Sequence, residues 1–148
     1  MKKILLLNGP NLNRLGKREP DIYGHTTLQE LENKLKEKAE GRGYQLFSAQ
    51  SNHEGGLIDH IHKAEDDGYE GIILNPGAYT HYSYALRDGV ASVSVPVVEV
   101  HISNIHQRES FRHHSVIAAE TIGQIVGLGL YGYELALDAI INYIKGRV

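Results

Sequence analysis

No cysteine occurs in the 148-residue chain, which excludes disulfides, thiolate catalysis and cysteine-ligated metals. No apolar run approaches the roughly 20 residues that span a bilayer. The run Ile4 to Leu7 is also too short for a signal-peptide core, and Asn8-Gly9-Pro10 breaks it. A cytoplasmic protein without a membrane partner is therefore expected. Charge of one sign is scarce as well: the net charge of −3 gives no general attraction to nucleic acid. The phosphate-binding patterns GxGxxG and GxxxxGKS/T are absent, and in Asn8-Gly9-Pro10-Asn11 the proline removes a backbone donor. Metal-binding patterns are equally thin. There is no HExxH; His60 and His62 stand two apart on a helix and face different sides, and His113 and His114 are adjacent. Nor does any lysine sit where an apolar strand would desolvate it. Lys34, Lys36, Lys38 and Lys63 fall in amphipathic helices, Lys2, Lys3 and Lys145 near the ends of the sequence, and Lys17 in a loop.

Nine histidines and nine tyrosines stand out against an otherwise ordinary composition, 41% hydrophobic and 22% charged. The length suits one domain, residues 1–148, with a single sizeable core. Short continuous apolar runs alternate with helical stripes. Lys3–Leu7, Tyr44–Ala49, Gly71–Asn75, Pro96–Val100 and Gln124–Leu128 read as strands. Leu28, Leu31, Leu35 and Ala39 form the stripe of a helix capped at Thr26 or Thr27, with Gln29 and Glu30 placed for a capping box. Further helices follow through Leu57, Ile58, Ile61 and Ala64, through Tyr84 to Val90, and through Tyr133, Leu137, Ile140, Ile141 and Ile144. A short helical turn is expected near Val116 to Glu120 and a polar turn over Ser51 to Gly56. Apolar strands alternating with helices predict an α/β fold: a five-stranded parallel sheet with helices on both faces, in the flavodoxin-like order 2-1-3-4-5.

In such sheets ligands bind beyond the carboxyl ends of the strands. After strand 1 come Asn11, Arg18 and Tyr23; after strand 3, Asn75 and His81; at and after strand 4, His101, Ser103 and Asn104. One crevice can collect them. The loop from Asn8 to His25 is long enough for an active-site lid, and Arg18-Glu19-Pro20-Asp21-Ile22-Tyr23-Gly24 sets an arginine five residues before a tyrosine. We read Tyr23 as a catalytic base tuned by Arg18; the plainer alternative is a tyrosine packed on a surface loop. Glu99 and His101, two apart on a strand, share a face, so the carboxylate could orient the imidazole, unless the pair is a chance one at a strand end. His81 and Asp88 could share a helix face two turns apart, or Asp88 could be a solvated helix residue. Two other functions stay open from the residues: a flavodoxin-like binding module without catalysis, and a metal-dependent hydrolase built on the histidines.

The run Asn8-Gly9-Pro10-Asn11-Leu12-Asn13-Arg14-Leu15-Gly16, followed by Arg18-Glu19-Pro20 and Ile22-Tyr23-Gly24, resembles the opening of type II 3-dehydroquinate dehydratases. Ser51-Asn52-His53-Glu54-Gly55, Leu74 to Ala78, Thr80-His81, Ala85 to Asp88, Glu99 to Asn104 and Phe111 to Ser115 continue the resemblance in order. His25, Gly56 and Ser110 sit where the family varies. The resemblance implies a flavodoxin-like subunit in a homododecamer, a tetramer of trimers. It implies dehydration of 3-dehydroquinate to 3-dehydroshikimate in the shikimate pathway, by anti elimination through an enolate, without cofactor, metal or Schiff base. Tyr23 then corresponds to the base at C2, Arg18 to the lid arginine beside it, and His101 to the acid at the C1 hydroxyl. Asn11 corresponds to the asparagine that holds a water at the enolate oxygen. Asn75, His81, Ile102, Ser103 and Arg112 match substrate-binding positions, and Asp88 one that reaches in from a neighbouring subunit. The chemistry suits this set. A free tyrosine has a pKa near ~10, a guanidinium favours its phenolate, and each unit of lowering is worth about 1.4 kcal/mol.

Overall fold

The apolar runs form strands because both faces of each are covered. The computed structural model describes residues 1–17 and 19–146, and all side chains among them except those of residues 22 and 23. The strands are β1 (Lys2–Asn8), β2 (Tyr44–Gln50), β3 (Gly71–Asn75), β4 (Val97–His101) and β5 (Gly123–Val126). They pair in parallel in the order β2-β1-β3-β4-β5, the expected flavodoxin-like topology. The helices are α1 (Pro20–Tyr23), α2 (Leu28–Gly41), α3 (Glu54–Asp66), α4 (Tyr84–Ala91) and α5 (Tyr131–Ile144). None of those described is long and apolar enough to cross a membrane.

Alternation along each strand divides the core in two. Ile4, Leu6, Ile73, Val98 and Val100 pack with Leu31 and Leu35 of α2 and Tyr133 and Leu137 of α5. Leu5, Leu7, Ile72, Leu74 and Val97 pack with Leu57 and Ile61 of α3 and Leu86 and Val90 of α4. Full burial of one such leucine is worth roughly 1.5–3 kcal/mol. The same parity governs the polar residues at the carboxyl ends. Asn8 and Asn75 are paired in register and follow Leu6 and Ile73, so they face the α2/α5 side. Glu99 and His101 follow Val97 and face the α3/α4 side.

Thr27 is the cap of α2, accepting from the Glu30 N–H while the Glu30 side chain accepts from the Thr27 N–H. Several boundaries differ from expectation. The loop after β1 holds a 3-10 turn at Leu12–Arg14 and the four-residue α1, started by Pro20 at its first turn; neither is long enough to show a periodicity. The expected polar turn over Ser51 to Gly56 is shorter, because α3 begins at Glu54. The turn expected near Val116 is confined to Ala118–Glu120, and the segment from Ile102 to Ser115 winds through 3-10 turns at Ile105–Gln107 and Ser110–Arg112. β5 ends at Val126, not Leu128, since Gly127 turns the chain with φ 86°. Lys2 and Lys3 prove to be in β1; Lys2 is exposed and the Lys3 ammonium lies 4.5 Å from the Tyr69 ring.

Candidate active site

The loops after β1 and β3 can meet because glycines stand at their contact. A Cβ on Gly9 would come within 2.8 Å of the Pro76 carbonyl group, and Gly77, with φ 59°, packs against Pro10. The Gly9 N–H donates to the Asn75 carbonyl at 2.7 Å. Asn11 then turns the β1 loop in a left-handed conformation, φ 71°, which asparagine tolerates better than most residues. Its N–H donates to Asn52 Oδ1 at 2.9 Å, and Gln50 Nε2 holds the same oxygen at 3.0 Å. Glu19, with φ 42°, is the other described non-glycine residue in this region. Both lie in the loop after β1, and such strain concentrates at functional sites.

These loops and the segment after β4 enclose a cavity of about 170 Å³. Seven of the residues expected at the site line it: Asn11, Asn75, His81, His101, Ile102, Ser103 and Arg112. Glu99 is fully buried behind His101. Asp88 does not line the cavity; it is exposed on α4. His81 and Asp88 share no helix face, because His81 ends a 3-10 turn at Gly77–His81 and Ser83 caps a separate helix. Tyr23 closes α1 as a backbone position, while its side chain and Arg18 lie outside the described residues.

Glu99 and His101 form a buried dyad. His101 Nε2 is 2.5 Å from Glu99 Oε2. The Thr80 hydroxyl donates to the same oxygen at 2.5 Å, and Ser115 Oγ lies 3.1 Å from both carboxylate oxygens. Ser115 Oγ in turn accepts from the N–H groups of Ile117 and Ala118. Burial alone would raise the Glu99 carboxyl, but the bond and charge of His101, with donation from Thr80 and Gln124, hold it below the usual carboxylate range. Glu99 is therefore charged at neutral pH. With Nε2 committed to Glu99, Nδ1 is the ring nitrogen of His101 left for the cavity. This arrangement can hold and release a proton there.

A second imidazole, His81, lies 6.5 Å from His101 between ring centroids, nearly parallel to it. Burial lowers its pKa, as do the charges of His101 and Arg112, against the bond to the His114 carbonyl and the charge of Glu99. It is thus neutral at pH 7. Its Nδ1–H donates to the His114 carbonyl at 2.9 Å, leaving Nε2 as an acceptor. Arg112 Nε is tied to Glu109 at 3.0 Å, which leaves its other guanidinium nitrogens for an anionic or hydroxylated ligand.

Four participants were not anticipated. Arg108 lines the cavity and spans to the β1 loop, 3.9 Å from Glu19 and 3.4 Å from Ser103 Oγ. Thr80 and Ser115 stood inside the family motifs beside His81 and His114, but no spacing rule links them to Glu99. Tyr133 lies on α5 and was read only as part of a buried stripe. Among the described residues, no group of three or more His, Asp or Glu side chains could hold a metal ion.

The hydroxyl support of Glu99 carries a pH-dependent prediction. Its folded pKa lies below the ordinary 4.5, so the stability it contributes is fully present above that value and is lost as pH falls through the folded pKa. Thr80→Val removes one donor at constant shape and should cost about 2 kcal/mol at neutral pH. Urea unfolding across the acid range should show this difference closing as pH falls below the ordinary carboxylate value. A difference that is constant down to the lowest pH would mean that Thr80 does not act through the charge of Glu99.

Comparison with known proteins points one way. The family model described as "Dehydroquinase class II" matches residues 2–141. A 3-dehydroquinate dehydratase from Bacillus cereus (strain G9842) is 66% identical over 146 residues, covering 99% of both chains. One from Bacillus anthracis is 66% identical over 145 residues, covering 98% of this chain and 99% of the other. Among solved structures, the type II dehydroquinase from Butyrivibrio crossotus DSM 2876 superposes with a TM-score of 0.92 at 52% identity, covering 95% of this chain and 97% of that one. The type II dehydroquinase from Propionibacterium acnes gives 0.91 at 48% identity, covering 95% and 96%.

Proposed function

The chain belongs to the class II dehydroquinase family of hydro-lyases, and from that premise we propose that its cavity converts 3-dehydroquinate to 3-dehydroshikimate by anti elimination of water, within the shikimate pathway. The observation that carries the proposal is the buried Glu99–His101 dyad opening onto the cavity that Asn11, His81 and Arg112 also line.

Tyr23, as a phenolate favoured by the Arg18 guanidinium, takes the C2 proton. The electron pair moves into an enolate, whose oxygen is met by a water held on Asn11. The enolate then reforms the ketone, C1–C2 becomes a double bond, and the C1–O bond breaks. Hydroxide is a poor leaving group, so His101 supplies a proton and water departs. Glu99 stabilises the imidazolium that precedes this transfer. The Tyr23 proton and the deprotonated His101 are reset through solvent. Asn75, His81 and Arg112 hold ring oxygens, and the backbone N–H groups of Ile102 and Ser103 receive the substrate carboxylate. Closure of the loop after β1 excludes water and strengthens each charge. The working form is a cytoplasmic dodecamer, a tetramer of trimers, in which Asp88 serves the site of a neighbouring copy; its exposure on α4, away from its own cavity, supports that reading.

The test is conversion of 3-dehydroquinate to a conjugated enone, followed by ultraviolet absorbance. Robust turnover that persists in excess chelator is expected. No signal from assembled protein contradicts the proposal and favours a binding module. Loss of activity to chelator favours the metal-dependent alternative.

A further inference from the structure

None of the roles above uses α5, yet one of its side chains ends at the site. Tyr133 is fully buried, and its hydroxyl sits between the two asparagines that close β1 and β3. It donates to Asn8 Oδ1 at 2.7 Å and accepts from Asn75 Nδ2 at 2.8 Å. The direction of this chain is set at its far end. The Gly77 N–H can only donate, and it does so to Asn75 Oδ1 at 3.1 Å. Asn75 must therefore turn its nitrogen to Tyr133, and the phenol proton must go to Asn8. Asn75 lines the cavity and is itself 4% exposed. Its amide is pinned at both ends, with one Nδ2 hydrogen left over as a donor.

An unpinned asparagine amide presents oxygen or nitrogen with similar shape, and a wrong end costs a ligand its hydrogen bond. We propose that Tyr133 is a positioning residue for substrate binding: the Gly77 N–H sets which end of the Asn75 amide faces α5, and the Tyr133 hydroxyl holds that end in place, so that the remaining Nδ2 hydrogen meets an oxygen of the bound substrate ring. The inference rests on the reading of the cavity as the 3-dehydroquinate site. A purely structural Tyr133 would matter for stability alone. A positioning Tyr133 changes binding in ground and transition states alike, which moves KM and leaves kcat.

Steady-state kinetics on Tyr133→Phe, Asn75→Ala and the double variant separate the two. Tyr133→Phe should raise KM about tenfold with kcat within about twofold of the parent. In the Asn75→Ala background the same substitution should add nothing further to KM. An unchanged KM in Tyr133→Phe, or an equal rise in both backgrounds, overturns the proposal. If Tyr133→Phe does not fold, Asn8→Ala removes the acceptor that holds the phenol in place and should give the same KM-only rise; an unchanged KM there also overturns it. Absence of turnover in the parent enzyme overturns the site reading, and this one with it. An active parent whose KM ignores Tyr133 overturns only the role of Tyr133.

Discussion

Tyr23→Phe is expected to keep the fold and bind substrate while losing turnover by about a thousandfold or more, the upper range for a lost general base. The substitution removes one oxygen and keeps the ring. What it removes is the only group proposed to take the C2 proton. The cavity histidines are poor substitutes. Burial lowers the basicity of His81, and His101 is bound to Glu99 and is itself the proposed acid. Stopped-flow absorbance with the variant checks the rate, and calorimetry with substrate checks binding. Parental turnover in Tyr23→Phe would require another base.

Glu99→Gln should lower kcat by about 10- to 100-fold with a smaller change in KM, as loss of an orienting partner typically does. Every neighbour of the Glu99 oxygens can donate: Thr80, Ser115, His101 and, by its effect on the carboxyl, Gln124. A glutamine must turn its NH₂ toward at least one of them. That partner must then accept where it donated, so the buried hydrogen-bond set around position 99 has to be redrawn, and a polar group left unmet there costs about 1–3 kcal/mol. His101 also loses the negative charge held against its ring. The defect should therefore fall mainly on kcat, and Glu99→Asp, which restores the charge, should recover part of it. A loss of stability with kcat and KM intact would assign Glu99 a packing role only.

The sheet and the edge that carries the site were legible because their signals are local. Leu5-Leu6-Leu7 and Ile72-Ile73-Leu74 are buried on both sides and end in Asn8 and Asn75. That pattern gives strand, order and crevice in one step. Glu99 and His101 were legible through parity alone. The second layer was not, because its contacts are distant in sequence: Thr80 and Ser115 lie 19 and 16 residues from Glu99, and Tyr133 lies 125 from Asn8. No periodicity encodes a hydroxyl that crosses from one element to another. The His81–Asp88 pairing failed for a related reason: a spacing of seven has meaning only inside one helix, and Ser83 starts a new one. Arg108 lies among several charges after β4, and only its reach to Glu19 and Ser103 sets it apart.

The central claim is an elimination with base and acid on opposite faces of the ring. It is tested most directly with 3-dehydroquinate carrying deuterium at one or the other C2 position, followed by NMR of the product. The account predicts loss of the label that lies on the face opposite the C1 hydroxyl and retention of the other. Loss of the label on the same face as the hydroxyl would contradict it.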